Sequence, residues 1–186
     1  DLVGQYKDER VKYFRSEEFL SLGEARNEAI RLSNGDFLAF LDADDIWYPR
    51  KLELQMKCFT DGVGLVHTRT EIVNEGSVTK RVGNRSPEGY VFGHLLSAYF
   101  LVMSSVVISR EALNSLSHFF DPRFEIIEEY DLFLRIAANW KVSCVRSYLT
   151  QWRWHSASTT MVKTKLISQE KRAMLRKLKC EYPDLY

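Results

Sequence analysis

The sequence predicts an α/β domain whose mostly parallel sheet is flanked by helices, on three observations. Short apolar, β-prone runs alternate with segments of helical periodicity along the chain. One run, Phe37–Leu41, is apolar at every position, as expected of a strand covered by helices on both faces. No internal repeat, low-complexity tract or Pro/Gly/Ser-rich linker interrupts the 186 residues, a length that a single core can fill.

Each element has a local reason. After a polar start, VKYF (11–14) reads as a short strand. Ser21 with Glu24 forms a capping box and Asn34-Gly35 a stop, so a helix lies between them, with Leu22, Ala25, Ala29 and Leu32 on its apolar face. Pro49 suits the first turn of a second helix reaching about Phe59. GVGLVHTRTEIV (62–73) predicts one or two strands, Asn74-Glu75-Gly76 a turn, and the polar stretch 77–90 a mobile loop. SSVVIS (104–109) predicts a buried strand, followed by a helix over REALNSL (110–116). EIIEEYDLFLRIAANW (125–140) predicts a helix with Ile127, Tyr130, Leu134 and Ala137 on one face. KVSCV (141–145) is a strand, leading to the aromatic YLTQWRWH (148–155) and a basic helix over 163–182. The expected division is a domain over 1–160 and a C-terminal basic helical extension over 161–186.

Composition removes several classes of function. At 45% hydrophobic and 27% charged residues the chain is not disordered, and a net charge of +1 gives no global attraction to nucleic acid. Cys58, Cys144 and Cys180 are scattered without a CxxC pair, which argues against a disulfide framework or zinc site and for a reducing compartment. No apolar run approaches the ~20 residues of a membrane span and no signal peptide is visible. Because the chain begins at Asp1, it is expected to be a piece of something longer.

The chemistry concentrates in FLAFLDADDIWYPRK (37–51), where an apolar strand runs into Asp42, Asp44 and Asp45. Carboxylates so close repel one another unless something cancels the charge. In α/β sheets ligands gather beyond the carboxyl ends of strands, where this acidic knot stands. A hard cation such as Mg²⁺ or Mn²⁺ takes one or two carboxylates plus substrate phosphates. The bland alternative is a solvated Asp-rich turn. An EF-hand starting at Asp42 fails, because Ile46, Trp47 and Pro49 fall where oxygen ligands or glycine are needed. A phosphohydrolase with Asp42 as nucleophile remains a rival.

GEARNEAIRLSNGDFLAFLDADDIWYPRKLE (23–53) resembles the central block of family 2 glycosyltransferases, through Gly23, Ala25-Arg26-Asn27, Gly35-Asp36, Asp42-Ala43-Asp44-Asp45, Pro49 and Lys51-Leu52. Two later blocks extend the resemblance: EEYDLFLR (128–135), with Glu129 where the family has aspartate, and Arg153, His155 and Ser158. The resemblance implies a GT-A-like, Rossmann-type fold and a nucleotide-diphosphate sugar donor, UDP-sugar foremost. It implies a Mn or Mg cofactor and a glycan or lipid-linked acceptor. It also implies that a first strand-helix-strand unit, which helps to hold the nucleotide, is missing ahead of Asp1.

The resemblance also assigns roles. Asp44 ligates the metal, and Asp42 reaches the ribose or the metal's water shell. Asp45 is either a supporting group or the cap of the next helix. Arg26 and Arg153 face the nucleotide or its diphosphate and His155 the diphosphate or the metal, whereas Asn27 is expected to be structural. Glu128, Glu129 and Asp131 crowd the first turn of a helix, where the dipole favours acids in any case. Glu129 is the expected base by its place in the motif, with Glu128 beside it, and the outcome is inversion at the anomeric carbon. Trp47, Trp152 and Trp154 are candidates to stack on sugar.

The segment 162–179 carries Lys163, Lys165, Lys171, Arg172, Arg176, Lys177 and Lys179 against Glu170 alone. Peripheral contact with the inner face of the membrane by a cytoplasmic protein, or a solvated helix packed on the domain, both fit that pattern. Against the metal-dependent inverting transferase stand the Mg-dependent phosphoryl-transfer hydrolase and a non-catalytic nucleotide- or carbohydrate-binding relative.

Overall fold

A computed structural model describes residues 5–84, 86–155 and 163–185. Among them six strands form one mixed sheet: β1 (Phe37–Ala39), β2 (Ile46–Trp47), β3 (Val63–Asn74), β4 (Ser77–Val82), β5 (Val107–Ser109) and β6 (Lys141–Arg153). The order is β1-β5-β3-β6-β2, with β4 also pairing β3. The helices are α1 (Leu22–Leu32), α2 (Lys51–Met56), α3 (Phe92–Ser97), α4 (Arg110–Asn114), α5 (Glu128–Asn139) and α6 (Thr164–Glu181).

The expected α/β class stands, but the sheet is mixed rather than mostly parallel. Of the described pairings only β3 with β6 is parallel, while β1–β5, β3–β5, β3–β4 and β2–β6 are antiparallel. Strand direction depends on which long-range partner a strand meets, and helix-strand alternation says nothing about that when strands are hairpin-linked. β3 and β6 are the backbone of the sheet, pairing from Val63↔Lys141 to Val73↔Arg153. Gly64 permits close packing at the start of β3, since a Cβ there would lie 2.7 Å from Trp140 Cβ and 2.8 Å from Ala112 Cβ.

Several elements differ from expectation. Residues 11–14 form no strand among the described residues, and Val11, Tyr13 and Phe14 are exposed: β propensity without a pairing partner leaves a chain irregular. The expected loop over 77–90 begins with β4, because Glu75 (φ 49°) and Gly76 (φ 79°) make a two-residue hairpin turn with both residues left-handed. α1 has its capping box, but it buries Gly23, Arg26, Asn27 and Ile30 and leaves Leu22 and Leu32 half exposed. The inward face is chosen by the polar partners it meets, not by its leucines. β1 buries Leu38 alone and exposes Phe37 and Ala39, so the all-apolar run is covered on one face among the described residues. α2 is shorter than expected and ends at Met56.

The core lies between the sheet and α5, which is buried continuously from Tyr130 to Ala137. Leu65, Ile108, Leu132, Phe133 and Leu134 are fully enclosed there, joined by Ile30 of α1 and by Met174 and Leu178 of α6. α6 is tied to this core by charge as well. The Glu170 carboxylate accepts the backbone N–H groups of Glu125, Ile126 and Ile127 at 2.9, 3.0 and 3.2 Å, at the N-terminus of α5. Lys177 donates to Asp121 and Asp131 at 2.8 Å, and Asp131 also pairs with Arg135 at 2.8 Å. His118, Asp121 and Asp131 stand close enough to hold a metal, but the Lys177 ammonium already supplies the positive charge in that cluster.

Candidate active site

The site is built where β1 ends, where α5 begins and where β6 terminates. After β1 the chain turns through Asp42–Asp45, closed by the Asp45 N–H to Asp42 carbonyl bond at 3.0 Å. This turn is held from below by Ser104, whose hydroxyl accepts the Asp42 N–H at 3.0 Å and whose carbonyl accepts the Trp47 indole N–H at 2.6 Å. Lys51 lies 4.2 Å from the centre of the Trp47 ring and donates to Gln55 at 2.8 Å. Gln55 in turn donates to the carbonyls of Val66 and Ser105. Trp47 is therefore engaged in holding the loop, and burial pushes the Lys51 ammonium down to about 7.

Arg26, projecting inward from α1, connects the acidic turn to α5. Its Nη2 donates to Asp42 Oδ1 at 2.7 Å and its Nη1 to Glu128 Oε1 at 2.9 Å, with Glu129 Oε2 4.0 Å away. The Arg26 guanidinium thus bridges two carboxylates, with its side chain only 9% exposed. Asn27, one residue on, clamps Phe120 by accepting its N–H and donating to its carbonyl, both at 2.8 Å. Its expected structural role holds, and it fixes α1 against the approach to α5.

Glu128 and Glu129 differ as their helix positions require. Glu128 turns inward and is buried, and its Oε2 has no hydrogen-bond partner among the described residues. Burial, reinforced by the charge of Glu129, pushes the Glu128 carboxyl up to about 7 despite Arg26. Glu129 faces the open side and accepts a 2.7 Å hydrogen bond from the Tyr99 hydroxyl. Burial raises Glu129 as well, against the pull of Arg26 and Tyr99.

The third wall is the end of β6. Asp45 Oδ1 accepts the Arg153 backbone N–H at 2.9 Å, and His155 Nε2 lies 3.2 Å from Asp44 Oδ2. Asp45 does not cap α2, whose N-cap Arg50 has no side-chain cap; it clips β6 to the acidic turn instead. Burial pushes Asp45 up to about 6, and its Oδ2 has no partner among the described residues. The Arg153 side chain is exposed and lines a groove of about 580 Å³ with Asn74, Gln151, Trp154 and His155. Ser158 lies outside the described residues. His67, for which sequence offered no role, is a buried core histidine beside Phe100, pushed down to about 4 by burial.

Asp42, Asp44, Asp45, Arg26, Glu128, Glu129, Arg153 and His155 are therefore brought together from four parts of the chain. Tyr99 and Ser104 also belong to the site and carried no sequence signal, because each meets its partner only through long-range packing. Donors of the kind a divalent cation takes stand on this turn: the Asp42 and Asp44 carboxylates are half exposed, and His155 Nε2 lies against Asp44.

The chain is 30% identical over 144 residues to the Escherichia coli UDP-Glc:alpha-D-GlcNAc-diphosphoundecaprenol beta-1,3-glucosyltransferase WfgD, covering 77% of this chain and 54% of that protein. It is 29% identical to an uncharacterized glycosyltransferase of Methanocaldococcus jannaschii, over 80% of this chain and 52% of that one. The amylovoran biosynthesis glycosyltransferase AmsB of Erwinia amylovora is 30% identical, over 70% of this chain and 46% of that protein. The chain spans about half the length of the curated relatives it matches. Among solved structures, S. aureus TarS superposes with a TM-score of 0.59 at 14% identity, over 72% of this chain and 40% of that one. Glucosyl-3-phosphoglycerate synthase from Mycobacterium tuberculosis superposes at 0.50 with 19% identity, over 87% of this chain and 55% of that one. These likenesses show the GT-A fold. The family description "Glycosyl transferase family 2" matches residues 1–117, so the chain belongs to the family 2 glycosyltransferases.

Proposed function

We propose that this chain is the catalytic part of a metal-dependent, inverting glycosyltransferase that moves a sugar from a nucleotide-diphosphate donor, UDP-sugar foremost, to a hydroxyl of a glycan or lipid-linked acceptor. The observation that carries this reading is the joining of the acidic turn to the acidic start of α5 through one buried arginine, Arg26. Asp44, Asp42 and His155 are the residues that would hold Mn²⁺ or Mg²⁺, which when bound offsets the charge of the departing diphosphate. Asp45 keeps the turn and the end of β6 in register, and Arg153 offers an exposed cation to the donor.

Glu129 takes the proton of the acceptor hydroxyl as that oxygen bonds to the anomeric carbon and the carbon–diphosphate bond breaks on the opposite face. The proton ends on Glu129, the electron pair leaves with the nucleoside diphosphate, and the configuration inverts. Glu128 stays behind Arg26, too enclosed to reach the acceptor, and holds the guanidinium in place.

α6 supports a peripheral membrane contact. Lys165, Lys171, Arg172, Arg176 and Lys179 are exposed on it, beside Leu175, while Glu170 and Lys177 turn inward. Its outer face is accordingly basic, as a helix lying on the anionic inner face of a membrane needs. Among the described residues no helix is long and apolar enough to cross a membrane. WfgD, by its name, uses a diphosphoundecaprenol acceptor, which fits enzymes that work at such a surface.

The test is binding of uridine diphosphate by the intact protein, measured calorimetrically with and without Mn²⁺. Mn²⁺-dependent binding that disappears in Asp44→Ala is expected. Absence of binding under both conditions, or binding indifferent to Asp44, would overturn the reading.

A further inference from the structure

We propose that Tyr99 is a positioning residue for Glu129, an inference that rests on the reading of Glu129 as the acceptor base. The Tyr99 hydroxyl donates to Glu129 Oε1 at 2.7 Å, leaving Oε2 as the oxygen that receives the acceptor proton. A glutamate in the first turn of a helix, open on one side, otherwise samples several staggered rotamers. A base must instead stand within hydrogen-bond reach of the proton it removes. Tyr99 supplies the constraint.

Tyr99 is itself fixed by the helix that carries the base. Its ring lies 4.5 Å from the Tyr130 ring, centre to centre, and Tyr130 is the residue after Glu129. The Tyr130 hydroxyl donates to the Leu95 carbonyl at 2.8 Å, at the end of α3. α3 and the segment after it are thereby both tied to α5, the helix through Tyr130 and the segment through Tyr99. The groups that face Glu129 are Arg26 from α1, Asp42 and Asp45 from the acidic turn, Glu128 on its own helix, and Tyr99. From α6, Lys171 lies 5.8 Å from the Tyr130 ring. Tyr99 is the one among these that donates a hydrogen bond to Glu129 in the described structure, whereas Arg26 is already committed to Asp42 and Glu128.

Tyr99→Phe removes the hydroxyl and keeps the ring against Tyr130. In side-chain carboxyl NMR of the full chain, the Glu129 signal, identified by its loss in Glu129→Gln, should titrate at higher pH in Tyr99→Phe. With UDP-glucose and Mn²⁺, UDP release should fall about ten- to a hundredfold in kcat, the worth of one hydrogen bond to a charged group, with KM for the donor unchanged. The acid limb of its pH profile should move upward. An unmoved Glu129 titration, or wild-type kcat in Tyr99→Phe alongside a dead Glu129→Gln, would overturn the inference and leave the base assignment intact. Full turnover by Glu129→Gln would instead overturn the base assignment, and this inference with it.

Discussion

Replacing Glu128 with glutamine should reshape the stability of the protein against pH. The wild-type carboxyl is held at about 7, up from its ordinary 4.5, chiefly because α5 buries it behind Arg26. The folded state keeps this proton to higher pH than the unfolded chain does. Glu128 therefore contributes stability in full below about pH 4.5 and loses it as pH rises through about 7. At ~1.4 kcal/mol for each pH unit across that span, the loss approaches ~3 kcal/mol by pH 8. Glutamine is nearly isosteric, keeps an oxygen for Arg26 Nη1 and does not titrate. Thermal melts of wild type and Glu128→Gln at pH 4.5 and pH 8 report the effect, since groups that do not interact with Glu128 cancel in the difference. The variant should gain on wild type by ~3 kcal/mol between the two pH values, or roughly 6–12 °C in Tm for a chain of this size. A difference that is the same at both pH values would refute the account of Glu128 as a buried, hard-to-ionise acid.

Two further outcomes follow from α6. Glu170→Ala strips three backbone N–H groups before α5 of their shared acceptor, and with partial replacement by water should cost ~2–4 kcal/mol in urea unfolding; a cost under ~0.5 kcal/mol would mean that α6 does not anchor α5. Reversing the charge of Lys165, Lys171 and Arg172 together should abolish co-sedimentation with phosphatidylglycerol vesicles and leave UDP binding unchanged, whereas retained vesicle binding would remove the membrane role of this face.

Much of this architecture is legible in the residues, and the limits have physical causes. Local chemistry reads well: the Ser21–Glu24 box, the turn at Asn74-Glu75-Gly76 (though not the strand that follows it) and the acids beyond β1 are decided by near neighbours. Partners set by distant folding do not. Residues 11–14 have strand propensity but no strand to pair with, and the inward face of α1 is chosen by Glu128, Asp42 and Phe120 rather than by its own leucines. The same limit governs the site. Asp42, Asp44 and the α5 acids are visible because they cluster in sequence, while Tyr99 and Ser104 reach their partners from 30 and 62 residues away. Glu170 and Lys177 show the converse case: composition makes α6 a basic helix, yet its buried acid and one of its lysines secure α5. The bridge that Arg26 makes between two carboxylates is a geometry that only the meeting of α1, the acidic turn and α5 defines.

The central claim is that the acidic turn and His155 together hold a divalent cation against a nucleoside diphosphate. Calorimetric titration of the intact protein with uridine diphosphate, with Mn²⁺ and then with EDTA, tests it most directly. Binding that requires Mn²⁺ in the wild type and vanishes in Asp44→Ala is the predicted result. Equal binding in EDTA, or in Asp44→Ala, would contradict it.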